Sequence, residues 1–346
     1  MRLIHSADWH LDAPFSGLNP ELARSLRKAN QQIPGLVADL CKQLGAQLLL
    51  LSGDLFDREP GADTLEEVCQ ALGSLSVPVV IAPGNHDYFK ESGCYSSGLF
   101  PKNVHIFQNP QPEALELPEL DCTIYGAGYR SMDCPPLLEG FRASCRSRYA
   151  LGVFHADPTH VSSPYCPITA AQVRDSGLDY LALGHVHSQG SFRGGSTLCA
   201  WPGCPMGHGF DETGEKGVLC VDLEAEAQAQ FIPLGLPRFL ELEIDANGDP
   251  RESLLSRIPA GGGQDVLRIT LTGEADPKLV DTIPNYVNVI LRDRTSPPGS
   301  LWGSMDDDSL EGLYFRLLHD SDDPELARLA AQISRRILDG REVELP

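Results

Sequence analysis

The amino-acid sequence predicts an α/β fold in which two mixed β-sheets pack face to face as a sandwich flanked by helices. Up to residue 87, short apolar runs alternate with helical patterns in the order β-α-β-α-β, which favours a parallel sheet with right-handed crossovers. Beyond that point the apolar runs follow one another more closely, and a second sheet would bury them. Several runs end in polar residues, which favours a site at the sheet edge.

Two helical patterns separate the first three predicted strands. The strands cover residues 3–4, 47–52 and 77–82. Apolar residues recur with a helical period over 22–40 and over 65–75. The second strand is short, fully apolar and closed by Gly53, which suits a buried strand better than a helix.

The remaining predicted strands of the main domain have few helices between them. They cover residues 104–107, 123–126, 149–154, 180–183, 197–200 and 217–221. Together with the first three strands they supply enough apolar surface for two sheets. The sequence therefore predicts a sandwich of two mixed sheets, with the helices on its outer faces.

A change in composition around residues 233–237 predicts a domain boundary. We expect a main domain at 1–235, a small α/β capping domain at 236–296, and an acidic linker with an amphipathic helical tail at 297–346. In the cap we expect strands at 239–244, 266–271 and 287–291, with helices near 253–258 and 278–283. The tail carries two apolar stripes at helical spacing, which either pack on their own protein or dock a partner helix.

Composition excludes several classes of protein. The 346 residues are 42% apolar, enough for a full core and a smaller second domain. No run approaches ~18 consecutive apolar residues and the N-terminus lacks an apolar leader, so we expect no membrane association and a cytoplasmic location. The net charge is −21 (27 basic and 48 acidic residues), without an obvious basic face. Any binding of nucleic acid by the isolated chain should therefore be weak and salt-sensitive.

Five short polar motifs, most of them directly after an apolar run, carry the predicted chemistry. They are Asp8-Trp9-His10, Gly53-Asp54, Gly84-Asn85-His86-Asp87, His155 and Gly184-His185-Val186-His187. Carboxylate, amide oxygen and imidazole are the ligands that a pair of hard-to-borderline cations prefers. A residue spacing of two also puts both side chains of a pair on one face of an extended chain. The sequence therefore predicts a two-metal site.

Each member of this set has a predicted role. Asp54 is the expected bridging ligand, and the histidine-rich set favours Mn²⁺, with Fe or Zn as alternatives. Two cations about 3.5–4 Å apart polarise a phosphate ester, and we expect a hydroxide held between them to attack phosphorus. His86 is predicted to protonate the leaving oxygen, with Asp87 orienting its ring.

These motifs resemble those of the calcineurin-like metallophosphoesterases. The strings His5-Ser6-Ala7-Asp8-Trp9-His10-Leu11-Asp12 and Gly53-Asp54-Leu55-Phe56-Asp57 are similar to the SbcD family of bacterial DNA-repair exonucleases. A later run, with Pro202-Gly203, Gly207, Glu212 and Gly214-Glu215-Lys216-Gly217, is similar to a small bacterial subgroup of that family. The resemblance covers residues 1–235 well, the cap loosely and the tail not at all.

The resemblance implies a four-layer αββα fold and Mn²⁺-dependent exonuclease cleavage of DNA. It implies a dimer that works in DNA repair with a separate SMC-like coiled-coil ATPase. It also implies the ligand sets: Asp8, His10, Asp54 and His187 for one metal, and Asp54, Asn85, His155 and His185 for the other, with His86 catalytic.

Two other functions remain open on the sequence. The first is a phosphatase or phosphodiesterase that acts on small molecules or phosphoproteins, since Gly53-Asp54-Leu55-Phe56-Asp57-Arg58 is close to a protein-phosphatase motif. The second is a regulatory or docking subunit without useful turnover, although every expected ligand is present. Serine-hydrolase and ATP-binding chemistry are not expected, because the chain has neither a G-x-S-x-G nor a G-x-x-x-x-G-K-[ST] motif.

Overall fold

The computed structural model describes residues 1–144, 146–224, 226–246, 250–257, 263–275, 280, 283, 285–296, 301–303, 305–338 and 340. The chain divides into two compact units, Met1–Phe239 and Leu240–Pro346. The finer domain boundaries expected from the sequence stay predictions. Among the described residues, no helix is long and apolar enough to cross a membrane.

Twelve strands and four α-helices occur among the described residues of the first unit. The strands are β1 (Arg2–Ser6), β2 (Leu48–Leu51), β3 (Val79–Ile81), β4 (Val104–Ile106), β5 (Glu113–Leu117), β6 (Cys122–Gly126), β7 (Tyr149–His155), β8 (Tyr180–Gly184), β9 (Gly190–Gly194), β10 (Thr197–Trp201), β11 (Gly217–Leu223) and β12 (Ala227–Pro233). The helices are α1 (Pro20–Asn30), α2 (Ile33–Leu44), α3 (Ala62–Gly73) and α4 (Ala170–Asp175). Short 3₁₀ helices occur at Cys94–Ser96 and Pro118–Leu120.

The strands form two mixed six-stranded sheets, in the orders β12-β11-β1-β2-β3-β4 and β5-β6-β7-β8-β10-β9. In the first sheet β1 to β4 are parallel, and in the second β6, β7, β8 and β10 are parallel. The outer strands β12 and β11, β5 and β9 pair antiparallel with their neighbours. This arrangement confirms the predicted α/β fold with two mixed sheets.

The two sheets enclose one hydrophobic core. Leu3, Leu50 and Val80 from the first sheet lie in the same buried cluster as Ile124 and Leu151 from the second. Along β7 the side chains alternate, so that Leu151 enters this core while Phe154 packs on the outer face. Helix α4 lies on that outer face, and helix α2 contacts β1 of the first sheet. The sandwich therefore has helices outside both sheets.

The structure divides the first predicted helical pattern in two. Helix α1 ends at Asn30 and α2 begins at Ile33. Pro34 lies in the first turn of α2, where its missing N–H leaves no hydrogen bond unmade. In the middle of one long helix the same proline would have removed a hydrogen bond, which explains the break.

Three strands of the first unit escaped the sequence analysis. All three, β5, β9 and β12, lie at sheet edges. Their residues are largely half-buried or exposed, as in the pattern of β12, and they carry no apolar run. Edge strands face solvent along one side, so their formation depends on the neighbouring strand more than on their own composition.

The second unit contains a small three-stranded sheet and two tail helices. The strands β13 (Phe239–Asp245), β14 (Val266–Thr272) and β15 (Val289–Asp293) form the sheet in that order, and α5 (Pro250–Leu255) follows β13. The strands agree with those expected in the cap, whereas the helix expected near 278–283 falls largely outside the described residues.

The tail helices, α6 (Leu310–His319) and α7 (Pro324–Leu338), contact each other. Phe315 and Ala331 are buried between elements of this unit, and Tyr314 hydrogen-bonds Ser334 across the pair at 2.6 Å. Leu310 and other leucines of the apolar stripes stay exposed. One face of the stripes therefore packs on its own unit, while the other remains open to solvent.

A buried polar link joins the two sheets, and its titration gives a testable consequence. His5 on β1 lies 2.7 Å from the Tyr180 hydroxyl on β8 and 2.7 Å from Ser52 Oγ. Burial lowers the pKa of His5 to about 3. The unfolded chain takes up a proton near pH 6.5, and the folded chain does so only near pH 3. The folded state therefore loses stability as pH falls from about 6.5, by about 1.4 kcal/mol per pH unit.

We expect His5→Gln to remove this part of the pH dependence. Urea unfolding between about pH 6.5 and pH 5 should give a shallower fall in the free energy of unfolding for the variant than for the wild type. Ser52→Ala is the matched control, because it removes one hydrogen bond but keeps the imidazole, and its slope should equal that of the wild type. Equal slopes for His5→Gln and wild type would contradict the prediction.

Candidate metal centre

The predicted site residues gather where the carboxyl ends of five parallel strands meet. Asp8 and His10 follow β1, Asp54 follows β2, and Asn85 and His86 follow β3, all in the first sheet. The second sheet contributes three histidines: His155 ends β7, and His185 and His187 follow β8. The carboxyl ends of parallel strands are where α/β sheets place their ligands. The site thus lies at the shared edge of the sandwich and draws on both sheets.

The first group of donors comprises Asp8, His10 and His187. Their ligand atoms lie within 4.8 Å of one another. The Nε2 atoms of His10 and His187 face each other at 3.1 Å. Both Asp8 and His10 are buried. Two imidazole nitrogens held this close inside a protein need either a proton or a cation between them.

Asp54 lies between this group and a second one. Its Oδ2 is 3.8 Å from His10 Nε2 and 3.3 Å from His155 Nε2. His155 Nε2 is also 2.9 Å from Asn85 Oδ1. Asp54 is therefore within reach of donors on both sides, which is the arrangement expected of a bridging carboxylate.

His185 joins the second group from the β8 side. Its ring centroid lies 5.2 Å from that of His155, and its ring is tilted against Tyr165 at 4.6 Å. Its backbone N–H donates to Asp8 Oδ1 at 2.9 Å, which ties the His185 loop to the first group. The structure thus brings all seven predicted metal ligands to one place.

Strained backbone accompanies the ligands. Asp8, His10, Asp54 and His185 have φ values of 52°, 43°, 51° and 92°, in the left-handed region that non-glycine residues rarely adopt. Backbone hydrogen bonds from Asp8 to Gly53 and from His10 to Asp54, each 3.0 Å, hold two of these loops side by side. Such strain persists only where the surroundings enforce it, and it clusters at functional sites.

Asp87 has a different task from the one predicted. Its carboxylate accepts hydrogen bonds from the backbone N–H groups of residues 54, 55, 56 and 84 and from the Tyr95 hydroxyl, at 2.6–3.3 Å. It therefore fixes the loops that carry Asp54 and Asn85. The His86 ring instead has its Nδ1 3.2 Å from the Asp57 carbonyl oxygen. The sequence could not distinguish these partners, because Asp87 is adjacent to His86 in the chain but turns away from it.

Sequence reasoning missed two carboxylates behind the histidines. Glu212 Oε1 lies 2.5 Å from His187 Nδ1, and Asp57 Oδ1 lies 3.4 Å from His10 Nδ1. Both residues stand in strings that carry the family resemblance, Gly53 to Asp57 and Gly203 to Gly217, but nothing in those strings assigned them a partner. Contacts across long sequence separations become visible only in the fold.

The electrostatics of the site favour a bound cation. Burial raises the pKa of Asp8. Burial would also raise the pKa of Asp54, but the neighbouring His155 and His10 outweigh it and hold that pKa below its ordinary range. Burial would lower the pKa of His155, but Asp54 outweighs it and raises that pKa to about 9. Without a cation the carboxylates therefore depend on protonated histidines for compensation.

One buried atom is left without compensation. Asp8 Oδ2 has no hydrogen-bond partner in the described part of the chain, and such an orphan oxygen inside a protein is costly. Carboxylate, amide and imidazole donors converge on this position and on the space beside Asp54. This donor set fits divalent cations, and its imidazole content suits Mn, Fe or Zn better than Mg.

Comparisons with known proteins agree with this geometry. The model of the family described as calcineurin-like phosphoesterase matches residues 1–189, more than half of the chain. The uncharacterized metallophosphoesterase YhaO of Bacillus subtilis (strain 168) is 26% identical over 341 residues, covering 90% of this chain and 82% of YhaO. The SbcD component of the nuclease SbcCD from the same organism is 22% identical over 273 residues, covering 67% of this chain and 68% of that protein.

Solved structures are more distant. The crystal structure of a dimetal phosphatase from Danio rerio is 14% identical with a TM-score of 0.44. That comparison covers 66% of this chain and 95% of the Danio rerio chain. The similarity of the sequences, rather than of the structures, therefore carries the assignment to a family.

Gly84 gives a test of the site geometry. A methyl group there would press against Asp54 Oδ1 and lie 2.7 Å from the Asp54 backbone nitrogen. We expect Gly84→Ala to displace Asp54 and to weaken Mn²⁺ binding about tenfold or more, as measured by isothermal titration calorimetry. A variant that binds Mn²⁺ as tightly as the wild type would show that this contact does not position Asp54.

Gly35→Ala is the matched control. Gly35 lies in helix α2, where an added Cβ meets none of the described atoms within 4 Å. We expect unchanged Mn²⁺ binding and a gain in stability of about 0.5–1 kcal/mol, because alanine loses less conformational entropy in a helix than glycine.

Proposed function

The chain belongs to the calcineurin-like phosphoesterase family, and we propose that it hydrolyses phosphodiester bonds of DNA with the help of two divalent cations. The observation that supports this most is the position of Asp54, whose carboxylate lies between two groups of donors. The similarity to the SbcD component of the nuclease SbcCD supports DNA, cleaved by an exonuclease, as the substrate. DNA repair is the process that this proposal implies.

Each cation would have its own set of ligands in this proposal. Asp8, His10 and His187 would hold one, and Asn85, His155 and His185 the other, with Asp54 shared between them. When bound, two such cations polarise phosphate oxygens and lower the pKa of a water molecule towards neutrality. We propose Mn²⁺ for both positions, with Fe or Zn as alternatives, because imidazole donors are numerous.

His86 is the proposed catalytic acid. Its side chain is 38% exposed, so a substrate can reach it. With Nδ1 on the Asp57 carbonyl, Nε2 is the nitrogen that remains to donate a proton to the leaving oxygen. The ring also stands edge-on to His10 at 4.7 Å, which brings it beside the metal ligands without making it one of the proposed set. Asp87 would act only by fixing the loops around it.

The acidic chain is expected to need a partner for tight DNA binding. The net charge of −21 opposes the approach of a polyanion. An SMC-like coiled-coil ATPase is the proposed partner, and the exposed leucines of the tail helices, such as Leu310, Leu317 and Leu326, offer an apolar surface for it. A homodimer and a cytoplasmic location are consistent with this substrate.

The same net charge favours a second candidate function. A small phosphomonoester or phosphodiester carries few charges, so that its approach to an acidic protein costs less than that of DNA. The ligand set would serve either substrate, because the proposed chemistry takes place at one phosphorus atom. A preference for monoesters over diesters would favour this phosphatase alternative.

Degradation of linear double-stranded DNA with Mn²⁺ tests the proposal directly. We expect the wild type to degrade it and His86→Ala to lose about 10²–10⁴-fold in rate while it keeps its metals, because only proton transfer is removed. Metal content measured by mass spectrometry checks the second point. A chromogenic diester and a chromogenic monoester serve as control substrates. Cleavage of either chromogenic ester without DNA cleavage would contradict the nuclease assignment and favour the small-molecule alternative.

Asp54→Asn tests the shared ligand. The amide has no negative charge to hold two cations together, so we expect loss of metal and of activity in the same variant. Full occupancy by two metals in Asp54→Asn would refute the bridging role.

A further inference from the structure

Two carboxylates outside the proposed ligand set stand behind the histidines of one metal position. Glu212 Oε1 is 2.5 Å from His187 Nδ1, and Asp57 Oδ1 is 3.4 Å from His10 Nδ1. On the opposite side of each ring, the two Nε2 atoms face each other at 3.1 Å. The carboxylates therefore back the two rings whose front nitrogens point to a common position.

Glu212 is held rigidly in this place. Its Oε2 accepts a hydrogen bond from the backbone N–H of His208 at 2.8 Å and lies 3.1 Å from His208 Nδ1. The His208 ring is itself stacked on Phe15, with 5.4 Å between the ring centroids. The Glu212 side chain is only 13% exposed. Since both oxygens are engaged, the carboxylate cannot turn away from His187 without breaking several contacts.

A carboxylate in this position controls the metal-binding nitrogen. When Nδ1–H donates to it, the tautomer is fixed and the Nε2 lone pair is directed forward. The negative charge also makes the imidazole a stronger electron donor, which raises its affinity for a cation. Glu212 would act on the cation through His187 in this way, and Asp57 through His10.

The other metal position has weaker support. His155 Nδ1 is 2.9 Å from the Ser52 carbonyl oxygen, a neutral acceptor. His185 Nε2 is 4.0 Å from Asp157 Oδ2, beyond hydrogen-bond distance. Asn85 adds a neutral oxygen in place of the carboxylate that Asp8 gives the first position. Negative charge is therefore concentrated on one side of Asp54.

We propose that Glu212, assisted by Asp57, is a positioning residue that makes the metal position of Asp8, His10 and His187 the tighter of the two. This inference rests on the two-cation site of the proposed function but not on DNA as the substrate. It assigns the two carboxylates the task of filling one position first, at lower concentrations of metal.

A competing interpretation uses the same residues. Donor atoms of His187, Cys204, His208 and Glu212 lie within 4.8 Å of one another and would fit a cation of their own. Both oxygens of Glu212, however, already have partners, since Oε1 approaches His187 while Oε2 accepts from His208 and lies 3.5 Å from the Cys204 thiol. Only His208 Nε2 lacks a partner among the described residues. Counting metal equivalents separates the two interpretations.

The test is a Mn²⁺ titration of the metal-free full-length protein, with free Mn²⁺ measured by electron paramagnetic resonance. We expect two equivalents of different affinity in the wild type. Glu212→Gln keeps the shape but loses the charge, and it should weaken the tighter equivalent by about 10–100-fold while the weaker one stays unchanged. Asp57→Asn should act in the same direction, and it serves as the second variant if Glu212→Gln does not fold.

Two further variants control the titration. Glu215→Gln lies in the same segment, but Glu215 is 58% exposed and pairs with Arg238 at 2.8 Å, so both affinities should equal those of the wild type. His155→Ala removes a ligand of the other position and should abolish the weaker equivalent while the tighter one remains. Together they show which position each equivalent occupies.

Several outcomes would overturn the inference. These are two equivalents of equal affinity or fewer than two in the wild type, equal weakening of both in Glu212→Gln, or a third equivalent that only Glu212→Gln loses. Failure of the proposed function is distinguishable, because it appears as two normally bound Mn²⁺ equivalents in a protein that does not degrade DNA. In that case the assignment of the tighter position stands.

Discussion

The buried negative charge of Asp54 beside Asp8 is the constraint on which the rest of the site depends. Both carboxylates are removed from water, and isolated charges in that environment are strongly unfavourable. The surrounding imidazoles compensate them only when protonated, and one oxygen of Asp8 has no hydrogen-bond partner among the residues described. Divalent cations supply the missing positive charge and satisfy the donors together. The composition of the site is therefore explained by what it would bind rather than by its contribution to folding.

The loops that hold these charges carry a conformational cost. Four of the ligands adopt left-handed backbone, and such residues cost of order 1–3 kcal/mol each. Asp87 offsets part of this cost, since one carboxylate satisfies backbone N–H groups of two separate loops and a tyrosine hydroxyl. The close approach of Gly84 to Asp54 leaves no room for a side chain. The rigidity of the site thus comes from a buried polar network centred on a residue that is not a metal ligand.

The site also couples the two sheets of the sandwich. Asp8, His10 and Asp54 come from one sheet, and His155 and His187 come from the other. Away from the site, the shared hydrophobic core and the His5–Tyr180 contact already join the sheets. Bound cations would add ligand bonds across the same junction, so metal binding and the stability of the folded state would be thermodynamically linked. Separation of the sheets would in turn dismantle the site.

Much of the fold and of the site follows from local sequence. Strands such as β2 are apolar throughout, because both faces of a central strand are buried, and the seven predicted ligands follow such runs in the chain. The three edge strands could not be predicted, since their polar residues form a strand only beside a neighbour. The break between α1 and α2 was signalled by Pro34 but hidden by a continuous helical pattern.

The sequence by itself therefore determined which residues would act as ligands, because each sits at the end of its own strand. The tertiary structure alone decided how they are supported. Asn85 meets His155 across 70 positions of the chain, and His187 meets Glu212 across 25. It also turned Asp87 towards the backbone and Asp57 towards His10. Local pattern specifies the direction of a side chain from its own strand, whereas its partner depends on how separate strands pack.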